Sequence, residues 1–122
     1  MAHILVIEDD EQFREMLVKM LTQDTHKVTV AHDGEQGLHL YRQVMPDLII
    51  TDILMPRMDG IETIMELARQ GGSTPVIAIS GGRRSISAEF NLESASLMGV
   101  KAALAKPFTR ADLRQAIEQA LA

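Results

Sequence analysis

The sequence predicts a single α/β domain over residues 1–122, with a five-stranded parallel sheet in the order 2-1-3-4-5 and helices on both faces. Short apolar runs rich in β-branched residues alternate with segments of helical periodicity five times along the chain. This alternation is typical of β-α-β units with right-handed crossovers. The first and third runs are the most apolar, which favours central positions, whereas the more polar second run favours an edge. A length of 122 residues is sufficient for one domain with a substantial core.

Composition limits the classes of function. The net charge of −5 argues against a nucleic acid or an anionic membrane surface as the main partner. The absence of cysteine excludes a disulfide framework and thiolate chemistry, and it agrees with a cytoplasmic location. The apolar run near the N-terminus, residues 4–7, is far too short for a signal peptide or a membrane helix. We therefore expect a cytoplasmic domain with neither direct nucleic-acid binding nor membrane contact.

The first half of the chain predicts two strands, each followed by a helix. Residues 3–7 form the first strand, and residues 27–31 form the edge strand. Asp9 or Asp10 is expected to cap the first helix, and Asp33 precedes the second helix, which ends before Pro46. The apolar residues of the first helix recur at helical spacing and should face the core: Phe13, Met16, Leu17, Met20 and Leu21.

The second half begins with the stretch that carries the chemistry. Residues 48–50 predict a strand buried on both faces, with Asp52 at its carboxyl end. Pro56 and Asp59-Gly60 indicate a loop before a helix over residues 61–69, which should end at Gly71-Gly72 and face inward through Ile61, Ile64, Leu67 and Ala68. A strand over 75–79, a weak helical pattern over 83–98 and a short strand over 101–105 are expected to follow. Thr109 and Asp112 form a predicted capping box at the start of the last helix.

Five polar side chains lie at the ends of four strands of this sheet and should meet at one edge. With the strand order 2-1-3-4-5, the crevice lies between the ends of the first and third strands. Glu8 and Asp9 follow the first strand, Asp52 ends the third, Ser80 ends the fourth and Lys106 ends the fifth. Three adjacent carboxylates can either hold protons at a raised pKa or share a cation. Oxygen ligands favour a hard cation such as Mg²⁺, which retains several waters.

Asp52 is the candidate nucleophile of this set. A carboxylate held at the end of a rigid strand can attack phosphorus to form an aspartyl phosphate. Mg²⁺, Lys106 and Ser80 would then neutralise or hydrogen-bond the phosphoryl oxygens, which is most of what phosphoryl transfer requires.

The chain resembles the receiver domain of two-component response regulators over essentially its full length. Four motifs carry the resemblance, each at the end of the expected strand: Glu8-Asp9, Asp52 with Met55-Pro56 and Asp59-Gly60, Ser80-Gly81, and Lys106-Pro107-Phe108. The fold implied by the resemblance is the flavodoxin-like receiver fold. It also implies Mg²⁺-dependent transfer of a phosphoryl group to Asp52 from a histidine kinase or a histidine phosphotransfer protein. The resulting change would switch an interaction surface for a downstream effector or a fused output domain.

The resemblance further implies particular roles for these residues. The chain departs from the family pattern in three places: at Ala103, in the segment from Ser80 to Lys106, which is several residues longer than usual, and at Leu54, where a polar residue is often found. Asp9, Asp52 and the backbone carbonyl of Leu54 would ligate Mg²⁺ directly, with Glu8 acting largely through water. A cis peptide bond before Pro107 would direct Lys106 into the site. Receivers usually carry Tyr or Phe at the position of Ala103, so the family's aromatic rotamer change is not expected in this chain.

Two other classes of function compete with the phosphoacceptor, which would catalyse only its own phosphorylation and dephosphorylation. An Mg²⁺-dependent phosphatase with an aspartate nucleophile usually places a second acid two residues later, where this chain has Leu54. A pseudo-receiver would use the same fold as an interaction module that is never phosphorylated. The complete set of polar residues argues against that alternative, whereas Ala103 and the long segment after Ser80 keep it open.

Overall fold

The central structure is one parallel sheet. A computed structural model describes residues 1–53, 60–70, 73–80 and 99–122 of the chain. The five strands in these residues are β1 (His3–Ile7), β2 (Lys27–Ala31), β3 (Leu48–Asp52), β4 (Val76–Ser80) and β5 (Val100–Ala105). Their order is β2-β1-β3-β4-β5, and all four pairings are parallel. The predicted fold class and strand order are confirmed.

Four helices connect or follow these strands in the described residues: α1 (Glu11–Gln23), α2 (Gly34–Val44), α3 (Gly60–Arg69) and α4 (Arg110–Leu121). The helices cover both faces of the sheet, and the buried residues accordingly form two clusters, one on each face. Ile4 and Val6 of β1 pack towards α1 and α4, whereas Leu5 and Ile7 pack towards α2 and α3. This alternation follows from the period of two in a strand, and it explains why the run is continuously apolar.

The helix caps agree with the predictions. They also decide between the two candidate caps of the first helix, Asp9 and Asp10. Asp10, rather than Asp9, caps α1, since its Oδ1 accepts from the Phe13 amide at 3.1 Å. Asp33 caps α2 in the same way. Thr109 and Asp112 form the predicted capping box of α4, with both hydrogen bonds at 3.0 Å. Asp9 is consequently not used as the helix cap.

The predicted inner face of α1 is wrong at one position. Met16 is 37% exposed, whereas the residues buried in this helix include Arg14 together with Leu17 and Leu21. Positions 14, 17 and 21 have the spacing i, i+3 and i+7, so the buried stripe passes through the arginine rather than through Met16.

Gly37 in α2 allows the helix to approach the end of β1 closely. A Cβ atom at this position would lie 2.5 Å from Cδ1 and 2.8 Å from Cγ1 of Ile7. The absence of a side chain therefore sets the distance between α2 and the strand that leads to Glu8.

Some predicted elements lie outside the described residues: Gly71-Gly72 after α3, the weak helical pattern at 83–98 and the loop at 54–59. The side chains of Ile61 and Ala68, predicted to face inward, are also outside what the structure describes. None of the described helices has the length and apolar character needed to cross a membrane.

Candidate functional site

The register of the sheet brings the acidic residues together. Ile7 of β1 pairs with Thr51 of β3, so Glu8 and Asp52 follow at neighbouring positions of the same sheet edge. Glu8 is 1% exposed and Asp52 is 4% exposed, whereas Asp9 is open to solvent. One oxygen from each of the three carboxylates lies within 4.8 Å of the other two. The predicted cluster of acids is present.

Lys106 reaches this cluster from the end of β5. Its Nζ lies 2.8 Å from Oδ2 of Asp52, to which it donates a hydrogen bond, and 2.8 Å from Oε1 of Glu8. The contact with Glu8 is an ion pair rather than a hydrogen bond, because Oε1 has no partner of hydrogen-bond geometry among the described residues. The predicted cis peptide bond between Lys106 and Pro107 is confirmed.

The electrostatics of Glu8 follow from its burial. Burial raises the pKa of the Glu8 carboxyl to about 7, and the charge of Asp52 acts in the same direction. Lys106 and the Asp10 amide, which donates to Oε2 at 3.2 Å, lower this pKa and only partly offset the rise. Two buried carboxylates beside one ammonium leave an excess of negative charge at this edge of the sheet.

Lys106 remains cationic in these surroundings. Burial of the ammonium acts to lower its pKa, but the hydrogen bond to Asp52 and the neighbouring Glu8 outweigh that effect. The pKa of Lys106 is therefore above its ordinary value, so the side chain supplies a fixed positive charge beside Asp52.

The three carboxylates fit a hard divalent cation. The buried Oε1 of Glu8 lacks a hydrogen-bond partner among the described residues, and one ammonium, that of Lys106, is shared between Glu8 and Asp52. Carboxylate oxygens around a partly open site suit Mg²⁺, which keeps several waters. Asp9 is the solvent-exposed member of the three acids.

Arg14 supports the site, and the sequence analysis did not identify it. It is 9% exposed, and its Nη1 donates to the backbone carbonyl of Glu8 at 2.9 Å. This bond fixes the turn between β1 and α1, where Glu8 and Asp9 lie. Arg14 lies three and seven residues before Leu17 and Leu21, so the sequence spacing places it on the same buried face of the helix. A buried arginine needs a specific partner, and this spacing could therefore have indicated a structural role for Arg14.

The roles of two predicted site residues, Ser80 and Leu54, stay predictions. Ser80 ends β4, where it pairs with Ala105, the residue before Lys106, but its side chain is not among those described. Leu54, predicted to offer its carbonyl, lies outside the described residues. Ala103 is an exposed residue of β5 and pairs with Ala78.

The response regulator receiver domain family model matches residues 4–118 of the chain. The chain belongs to the response regulator receiver domain family. Its similarity to curated proteins agrees: it is 36% identical over 113 residues to the transcriptional regulatory protein CpxR of Klebsiella pneumoniae, covering 93% of this chain and 46% of that protein. It is 37% identical over 94 residues to the transcriptional regulatory protein AfsQ1 of Streptomyces coelicolor, covering 77% of this chain and 41% of the relative. The receiver thus spans less than half the length of these relatives.

Solved structures give the same assignment. A response regulator receiver domain protein from Clostridium thermocellum superposes with a TM-score of 0.86 at 28% identity, covering 99% of this receiver and 94% of that chain. The chemotaxis protein CheY4 of Vibrio cholerae has a TM-score of 0.86 at 26% identity, with 99% of both chains covered. The chain is therefore a receiver domain of the two-component response regulator family, and the predicted family is confirmed.

Proposed function

We propose that residues 1–122 form one phosphoacceptor domain, in which Asp52 receives a phosphoryl group from the phosphohistidine of a sensor histidine kinase or a histidine phosphotransfer protein. The observation that carries this proposal is the position of Asp52. Asp52 is 4% exposed, and its carboxylate accepts a hydrogen bond from Lys106 at 2.8 Å and lies within 4.8 Å of oxygens of Glu8 and Asp9.

In the proposed step, a carboxylate oxygen of Asp52 attacks phosphorus, and the new P–O bond forms as the P–N bond to the donor imidazole breaks. The imidazole leaves with the electron pair and takes up a proton. Because the attacking group is a carboxylate, no proton has to be removed from it, and the step needs no general base. Lys106 places its ammonium against the oxygens that carry charge in the transition state, and the Ser80 hydroxyl is proposed to donate to the same group.

Mg²⁺ would be held by Glu8, Asp9, Asp52 and the carbonyl of Leu54. When bound, it would supply positive charge that offsets repulsion between the acids and the incoming phosphoryl oxygens. This chain's own contribution is a rigid edge: β1 and β3 fix the acids, and Arg14 fixes the intervening turn. The proposed domain catalyses its own phosphorylation and dephosphorylation, and it acts on a downstream effector or a fused output domain.

The test is phosphorylation of the purified chain by acetyl phosphate with Mg²⁺, followed by intact-mass measurement. We expect the mass of one phosphoryl group, lost on treatment with hydroxylamine and absent in Asp52→Asn or when a chelator replaces Mg²⁺. Asp47→Asn is the matched control, because Asp47 is an exposed acid at the opposite end of the same strand, where it accepts from the His3 amide.

The competing functions give different results. An unmodified chain with both acetyl phosphate and a cognate phosphorylated kinase would favour the pseudo-receiver. Sustained hydrolysis of phosphomonoesters would favour the phosphatase. Phosphorylation that persists in Asp52→Asn would move the acceptor to another residue and refute the proposed role of Asp52.

A further inference from the structure

An aromatic ring lies beneath the ammonium of Lys106. The Nζ atom is 4.1 Å from the centroid of the Phe13 ring, on the first turn of α1. This is the geometry of a cation–π contact, in which the negative face of the ring attracts a cation. Lys106 is therefore held on two sides, by the carboxylates of Glu8 and Asp52 and by the face of Phe13.

The ring itself is held in orientation by a second aromatic residue. Phe13 and Phe108 meet edge to face, with centroids 5.6 Å apart and an interplanar angle of 86°. Both residues are partly buried against the core between the sheet and the helices α1 and α4. Phe108 lies two residues after Lys106, so the loop that carries the lysine also supports the ring that contacts it.

We propose that Phe13 is a positioning residue for Lys106: its ring keeps the ammonium over the phosphoacceptor when Lys106 exchanges an Asp52 oxygen for a phosphoryl oxygen. This inference rests on the proposed function of Asp52. A lysine side chain is a flexible four-carbon stem with a point charge, and its position depends on what surrounds the ammonium. The carboxylate contacts change during phosphoryl transfer, whereas the contact with Phe13 does not involve a reacting group.

A purely structural role for Phe13 makes a different prediction. If the ring only filled space between α1 and the loop after β5, leucine would replace it with little effect on Lys106. Tyrosine keeps the aromatic face that attracts the ammonium, so Phe13→Tyr serves as the conservative variant. Met20→Leu is the control for a small change in the same helix, because Met20 is also partly buried against that core and lies two turns beyond Phe13 in α1.

The first measurement is the NMR chemical shift of the Lys106 ε-methylene group, assigned by comparison with Lys106→Met. A methylene above a ring face is shifted upfield by the ring current. We expect this shift in the wild type, in Phe13→Tyr and in Met20→Leu, and its loss in Phe13→Leu. An ε-methylene shift that is unchanged in Phe13→Leu would overturn the contact, whether or not the chain is phosphorylated.

The second measurement is the rate of phosphorylation by acetyl phosphate under saturating Mg²⁺. We expect Phe13→Leu to lower the rate about three- to tenfold, in the range of a single cation–π contact, with recovery in Phe13→Tyr. In a Lys106→Met background, Phe13→Leu should have no further effect, because the cation is gone. An equal loss in both backgrounds would overturn the positioning role. A wild-type chain that is never phosphorylated would refute the proposed function, and the chemical shift would still decide the contact.

Discussion

Replacing Glu8 by glutamine should stabilise the metal-free domain at neutral and alkaline pH. Burial raises the pKa of Glu8 from its ordinary value of 4.5 to about 7, so the folded state binds this proton more tightly than the unfolded state. One pKa unit corresponds to about 1.4 kcal/mol, and the whole difference therefore corresponds to about 3 kcal/mol. Glutamine has nearly the same shape and carries no charge, so it avoids this cost.

The pH dependence has a defined sign. Below pH 4.5 Glu8 is protonated in both states, and its contribution to stability is fully present. As the pH rises to about 7 the unfolded state releases the proton first, and the contribution is lost. The free energy of unfolding of the wild type should therefore fall over this interval relative to Glu8→Gln, by about 3 kcal/mol in all.

The assay is urea unfolding from pH 4 to pH 8 in the presence of a chelator. Glu15→Gln is the control, because Glu15 is an exposed acid of α1 that lies outside the cluster. Addition of Mg²⁺ at pH 8 should stabilise the wild type more than Glu8→Gln, since a ligand that binds only the folded state raises its stability. A Glu8→Gln variant that is less stable than the wild type at pH 8 in chelator would refute the electrostatic reasoning.

Two further predictions concern the scaffold. Arg110 and Arg114 of α4 both pair with Asp24, which holds the pKa of Asp24 well below its ordinary value of 3.8, chiefly through the hydrogen bonds of Arg114 and Arg110. Asp24→Asn should therefore have a lower free energy of unfolding in urea than the wild type at pH 7. The difference between the two should shrink as the pH falls below 3.8, because protonation removes the same charge in the wild type. A difference that stays constant down to pH 2 would contradict this prediction. Gly37→Ala should destabilise by about 1 to 3 kcal/mol despite the better helix propensity of alanine, since its Cβ would lie 2.5 Å from Cδ1 of Ile7. Thermal unfolding checks this, and Ile7→Val, which removes that methyl group, should cost less in the Gly37→Ala background than in the wild type.

The sequence was sufficient for the strands, their order and the meeting point of the acids. Buried strands differ from amphipathic helices in period and in β-branched content, so local pattern alone separated β1 and β3 from α1 and α4. Once the strand order was set by the polarity of each run, Glu8, Asp9, Asp52 and Lys106 had to share one edge, because parallel strands end on the same side.

The tertiary structure decided which neighbours each of these groups has. Periodicity assigned Met16 to the core and left Arg14 unremarked, although the structure buries Arg14 against the carbonyl of Glu8 and leaves Met16 37% exposed. A stripe of apolar residues does not indicate which of two adjacent columns faces the sheet, and that choice depends on the rotation of the helix as it packs.

Contacts between distant segments were likewise invisible in the sequence. Phe13 is 93 positions before Lys106, and Asp24 is 86 positions before Arg110, yet each pair is in contact. Composition and spacing carry information about one element at a time, whereas a cation over a ring or an acid between two arginines depends on how two elements pack. The sequence thus determined the residues that meet at the carboxyl edge of the sheet, and only the packing of α1 against the loop after β5 decided what holds Lys106 there.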